Sequence, residues 1–129
     1  MADELVLNVT MEYSDSFGVE QSVSVVDRKV TITTKKPVIL VQEIGITEEA
    51  IDLGDTGTPA YAFFQNLDPT NFITLRVATS GAAFAKLHAD TDQDGTGGFA
   101  MLCLGSGAAA PFAIADTAAC KMKIMIVPV

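Results

Sequence analysis

Tryptophan is absent from this chain, histidine occurs once, and only two of its 129 residues are cysteine. Each shortage removes a class of function. A lone imidazole, His88, has no second histidine to complete a metal site and no evident partner to orient it as a general base. Cys103 and Cys120 stand far apart, each inside an apolar stretch, without the C-x-x-C spacing that zinc or dithiol chemistry uses. Two buried free thiols are the expected outcome. Basic residues are also scarce, 8 against 16 acidic, for a net charge of −8, and the largest basic cluster is Lys35-Lys36. A surface of that sign repels phosphate backbones and anionic headgroups, so neither nucleic acid nor membrane is an expected partner. No apolar run approaches the ~20 residues of a membrane-spanning helix. Met1-Ala2-Asp3-Glu4 is acidic where a signal peptide would be basic, so synthesis in the cytosol without a standard export signal is expected.

What the chain does have is apolar material: 49% hydrophobic residues against 19% charged. With tryptophan missing and aromatics at 7%, a core must come from Val, Ile, Leu, Met, Phe and Ala. The length suits one domain spanning 1–129.

The hydrophobic period is two almost throughout. In Leu5 to Tyr13 every odd position is apolar, which predicts a strand with one face on a core. Ser22 to Val26 and Val30 to Thr33 read as further strands around a polar turn at Asp27-Arg28-Lys29. Val38-Ile39-Leu40-Val41 is a β-branched run suited to a strand covered on both faces. Gly45 and Gly54 leave too little room for an ordinary helix, so Ile51 and Leu53 read as a short strand. Tyr61 to Asn66 and Phe72 to Val77 predict a hairpin across the turn Leu67-Asp68-Pro69-Thr70-Asn71, where proline presets φ and Asp and Asn bond nearby backbone. Ala85 to His88, Phe99 to Leu104, Phe112 to Ala115 and Cys120 to Val127 complete the series. The last places Cys120, Met122, Ile124 and Ile126 on one face and Lys121 and Lys123 on the other. About ten short strands at this spacing predict an all-β antiparallel sandwich or barrel.

Chemistry-bearing motifs are few. There is no G-x-S-x-G elbow, no Walker A and no G-x-G-x-x-G, and Gly95-Thr96-Gly97-Gly98 lacks the lysine and the helix that phosphate binding uses. Asp90-Thr91-Asp92-Gln93-Asp94-Gly95 reproduces the D-x-D-x-D-G opening of an EF-hand loop, yet its twelfth position is Met101 where a bidentate glutamate belongs. The expected state is a solvated acidic loop between strands, with no metal or cofactor assigned. Asp52 and Asp55 are conceivable extra oxygen donors for a calcium site of another kind. Asp55-Thr56-Gly57 echoes the D-T-G of aspartic proteases, but the required second aspartate and further motif residues are missing. No enzyme is expected.

The segment Ala50-Ile51-Asp52-Leu53-Gly54-Asp55, with Ala60 to Phe72 after it, resembles small β-rich virion proteins of tailed bacteriophages. In these an aromatic strand, an N-L-D-x-T-N turn and a returning strand recur. The resemblance covers Ala50 to Val127, and the long loop from Asp90 to Gly98 departs from the short turn such proteins carry. It implies a virion structural protein of jelly-roll-like sandwich fold. The leading expectation is a capsid decoration (cement) protein that sits on the major capsid protein as a homo-oligomer, with a trimer favoured. A tail or head–tail adaptor component is the alternative within that class. A calcium-dependent or carbohydrate-binding β-module using Asp90, Asp92 and Asp94 is the alternative outside it. Missing tryptophan and strand-bound tyrosines count against carbohydrate stacking.

Overall fold

A computed structural model describes residues 3–32, 37–52, 59–103 and 111–128, with backbone only at 3, 59, 60 and 103. All regular structure among them is β: ten strands in antiparallel sheets and no helix. The strands are β1 (Asp3–Ser14), β2 (Glu20–Ile32), β3 (Val38–Ile44), β4 (Glu49–Ala50), β5 (Pro59–Asn66), β6 (Ile73–Arg76), β7 (Ala83–Leu87), β8 (Phe99–Cys103), β9 (Phe112–Ala115) and β10 (Cys120–Pro128). They divide into two compact units, Met1–Thr33 and Thr34–Val129.

The first unit is a two-stranded ribbon, β1 against β2. Its turn is built by Asp15, whose carboxylate accepts the backbone N–H groups of Phe17 and Val19 at 2.9 Å each, while Gly18 takes φ +79°. Glycine has no Cβ to clash in that left-handed conformation. The polar turn expected at Asp27-Arg28-Lys29 does not occur. One strand runs straight through, and the register slips by one residue between Leu7 and Val9. Asp27 absorbs the extra residue at φ +53° and donates its N–H to Asn8 Oδ1 at 2.9 Å. Aspartate tolerates the left-handed region better than most residues, so a polar triplet that reads as a turn serves as a bulge.

The second unit is a β-sandwich of two four-stranded sheets, ordered β3-β10-β5-β8 and β4-β9-β6-β7. The pairings are nested: β3 with β10, β4 with β9, β5 with β8, β6 with β7. One core lies between the sheets, with Phe64, Met122 and Ile124 from the first meeting Ile73, Leu75 and Ala113 from the second. The rows are set by register. Leu40, Ile124, Phe64 and Ala100 lie side by side on the inner face of the first sheet. Cys120, Met122, Ile124 and Ile126 are buried and Lys121 and Lys123 exposed, as their alternation predicts. Truncating Phe64, fully buried at the centre of these rows, to alanine would cost about 3–5 kcal/mol.

The hairpin expected between Tyr61–Asn66 and Phe72–Val77 is not one. β5 and β6 sit in different sheets, so the chain between them arches across the core instead of reversing within a sheet. The turn chemistry is as read: Asp68 Oδ1 accepts the N–H groups of Thr70 (2.8 Å) and Asn71 (2.6 Å). The difference comes from the neighbours of β5: β10 and β8 take both of its edges, and the N–H groups of Asn66 and Leu67 extend those ladders to the carbonyls of Gly98 (2.9 Å) and Lys121 (2.9 Å), which leaves no edge for β6. The short strand expected at Ile51 and Leu53 is Glu49–Ala50; Ile51 is buried just beyond it, and Leu53 lies outside the described residues. Gln42 ties β3 to β4 by donating to Ala50 O (3.1 Å) and accepting from Asp52 N (2.7 Å).

Candidate interaction surface

The outer face of the β3-β10-β5-β8 sheet departs most from the expected inside-outside pattern. Ile39, Met125, Phe63 and Met101 are register partners in turn, so one apolar row crosses all four strands on the side away from the core. The adjoining row is Val41, Lys123, Gln65 and Phe99. Ile39 is 66% exposed, Val41 56% and Phe99 64%. Phe99 stacks against Phe63 with ring centroids 5.8 Å apart. The run from Val38 to Val41 was expected to be covered on both faces. It forms an edge strand covered on one, with Ile39 and Val41 turned out. Lys121, opposite Glu43, and Lys123 supply the cations of this face.

The ribbon carries a second such face. Val9 opposes Val25, Met11 opposes Val23, and Tyr13 opposes Gln21, so these pairs share one side. Thr10, Glu12 and Ser14, opposite Ser24, Ser22 and Glu20, share the other. Odd positions from Leu5 to Tyr13 were expected to face a core. Leu5 and Leu7 are half-buried, but Met11 is 75% exposed, Tyr13 64% and Val23 73%. An open groove of about 320 Å³ runs along this end, lined by Met11, Glu12, Tyr13, Gln21, Ser22 and Val23. It is too open to hold a small molecule away from water, as ligand sites do.

The acidic loop is built for its own backbone. Asp90 is buried rather than solvated, and its carboxylate accepts the N–H groups of Asp94 (3.3 Å) and Gly95 (3.0 Å). Asp94 is exposed and accepts the Thr96 hydroxyl and N–H, which hold its carboxyl below the usual range. Gln93 and Gly95 take positive φ, turning the chain between these bonds. Asp92 is exposed. Asp52 lies just after β4, and Asp55, with the whole Asp55-Thr56-Gly57 motif, lies outside the described residues. Among the described residues no three His, Cys, Asp or Glu side chains are grouped to hold a metal ion. His88 is exposed, its Nδ1 3.0 Å from the carbonyl of Ala89.

Two features of this region escaped sequence reading. Asn66 is fully buried, and its Nδ2 donates to the carbonyls of Asn71 (2.8 Å), Leu87 (3.1 Å) and His88 (3.2 Å) while Oδ1 accepts from Asp68 N (2.9 Å). One side chain thus fastens the β5–β6 arch to the end of β7. Gly97 and Gly98 pass so close to this junction that a Cβ on either would strike backbone, Asn66 O in the first case and His88 N in the second. Nearby, Cys120 is buried and free. Burial raises its thiol pKa to about 11, helped by the negative charges of Asp68 and Asp116. The side chain of Cys103 lies outside the described residues. Around Asp68 itself, burial pushes the carboxyl pKa up, but hydrogen bonds from Asn71 and Thr70 outweigh it and the net shift is downward.

No family model, curated protein or solved structure matches this chain.

Proposed function

We propose that this protein is a structural protein of a phage virion, acting as a capsid decoration (cement) protein that stabilises the head through protein–protein contacts. The observation that carries the reading is the apolar row Ile39–Met125–Phe63–Met101 on the outer face of the sandwich. A sheet face of this kind, left uncovered by its own unit, suits adhesion to protein. The nested strand pairing supports a jelly-roll reading of the sandwich, an architecture found in viral capsid domains and also in lectins and cupins. The acidic surface suits assembly in a cytosol crowded with nucleic acid, because it resists non-specific binding to it.

The test is to add the purified protein to particles that lack it, then measure occupancy by cryo-electron microscopy and the temperature at which heads release DNA. Density on the capsid and a rise in that temperature are expected. Density confined to the tail or its junction with the head would assign the adaptor role instead. Absence of binding to any part of the particle would overturn the virion reading.

A further inference from the structure

Each of the two units, taken by itself, leaves one apolar face uncovered, and the two faces complement each other. The ribbon face built on Val9, Met11, Val23 and Val25 carries no charge in that stretch, while residues 3–32 hold six acidic side chains against Arg28 and Lys29. The outer face of the β3-β10-β5-β8 sheet carries Lys121 and Lys123 at one side of its apolar row, with Glu43 its acidic member. A net-acidic ribbon and a net-basic sheet face attract in a chain whose total charge of −8 would otherwise keep copies apart.

We propose that a second copy of this chain covers both faces: the apolar side of one copy's ribbon lies on the outer face of the β3-β10-β5-β8 sheet of the next. The dimensions agree. The stretch from Val9 to Tyr13 spans roughly 14 Å at strand rise, and four strands at sheet spacing measure about 14 Å across. A specific contact needs about 1,000 Å² of buried surface, and the large side chains Met11, Tyr13, Val23, Ile39, Val41 and Phe99, each more than half exposed, supply apolar area on both sides of it. The contact is heterologous, ribbon to sheet, so each copy offers one donor and one acceptor face. Closing the chain of contacts into a dimer or a small ring uses every face and doubles the area buried per copy. A ribbon of two strands is only marginally stable alone, and a partner sheet supplies the covering layer it lacks. The contact stands whether or not the assembled copies sit on a virion.

The full-length protein is tested in solution, without particles, by analytical ultracentrifugation at tens of micromolar. The wild type is compared with Met11→Glu on the ribbon and Ile39→Glu on the sheet, both exposed positions. The wild type is expected to sediment as an oligomer, and each variant to lose at least tenfold in association. An equimolar mixture of the two variants is expected to recover a two-chain species. There the intact ribbon of one variant meets the intact sheet of the other. Thermal unfolding within a few degrees of wild type checks that each variant folds; Val23→Lys and Val41→Lys replace any that does not. A monomeric wild type overturns the proposal, as does an Ile39→Glu protein that keeps the wild-type mass. A mixture that stays monomeric at tenfold higher concentration also overturns it.

Discussion

Asn66 is the polar side chain on which the sandwich depends most, and its removal tests that account of the fold. The side chain is fully buried; the two hydrogens of its Nδ2 are shared among the carbonyls of Asn71, Leu87 and His88, and Oδ1 accepts from Asp68 N. In Asn66→Ala the bonds to Asn71 and His88 are partly compensated, since both residues reach solvent. The bond to Leu87 is buried, so water cannot make good its loss. Stranding a buried polar group costs about 1–3 kcal/mol, and the partly wet groups add a smaller amount each, so a loss of about 3 kcal/mol is expected. Asn66→Asp keeps the shape but replaces the donor by a carboxylate facing three carbonyl oxygens, and should cost as much or more. The chain has no tryptophan, so urea unfolding is best followed by far-ultraviolet circular dichroism at fixed protein concentration. With a slope of about 2 kcal/mol/M, the midpoint should fall by roughly 1.5 M. If both variants unfold within about 0.5 kcal/mol of wild type, Asn66 does not hold the arch to β7 and the reasoning fails.

Further outcomes follow from the same geometry. Gly97→Ala should destabilise the fold by more than about 2 kcal/mol, since its Cβ would meet a backbone oxygen that cannot swing away; Gly95→Ala, in open space at φ +83°, should cost only about 1 kcal/mol, and the reverse order in urea midpoints would contradict the close approach. Cys120 should react with thiol reagents far more slowly in the native state than in urea at pH 8. Its folded pKa of about 11 lies above the ordinary 9.0, so its contribution is complete below pH 9 and is lost as pH rises towards 11. Cys120→Ala should flatten that decline in unfolding free energy, and an unchanged alkaline slope would refute the assignment. Millimolar calcium should leave the melting temperature unchanged, because the Asp90 carboxylate is committed to Asp94 and Gly95 N–H groups; a rise that Asp92→Ala abolishes would reverse this view.

The strands were legible because the period-two pattern is strong where one face meets the core. In β10 every second residue from Cys120 to Ile126 is buried, and no helix-period signal competes. What the pattern could not carry is pairing. Tyr61–Asn66 and Phe72–Val77 look like two arms of a hairpin because a turn rich in Asp, Pro and Asn joins them. An arch between sheets needs the same turn residues, and the choice is made by strands distant in sequence, β8 and β10, which take both edges of β5. The Asp27-Arg28-Lys29 triplet misleads for a related reason: aspartate suits the left-handed residue of a bulge as well as that of a turn. Asn66 has a legible signal only in retrospect, an amide at the inward phase of an apolar strand. The acidic loop was legible in its failure to complete an EF-hand, but not in the inward turn of Asp90.

The apolar faces were visible in the sequence and attached to the wrong cover. Alternation states that a side wants to leave water; it does not name what removes it. Val38 to Val41 reads as doubly covered because both phases are apolar, and the odd residues of β1 read as core-facing because they are apolar while their neighbours are polar. Within its own unit neither demand is met, for Ile39 and Val41 in the sandwich or for Met11 and Val23 in the ribbon. Uncovered sheet faces invite indiscriminate stacking unless charge is placed among them. Lys121 and Lys123 lie on β10, an inner strand of its sheet, where Glu43 is the one counter-charge on that face among the described residues. A neighbour that covers this face must therefore bring net negative charge together with apolar side chains. The ribbon does both: the stripe through Val9 and Met11 is apolar, and the six acidic side chains of residues 3–32 outnumber Arg28 and Lys29, with Glu12 and Glu20 on the reverse side of the stripe. The lysines thus permit one kind of cover and oppose the stacking of two such sheets on each other, which would bring like charges together.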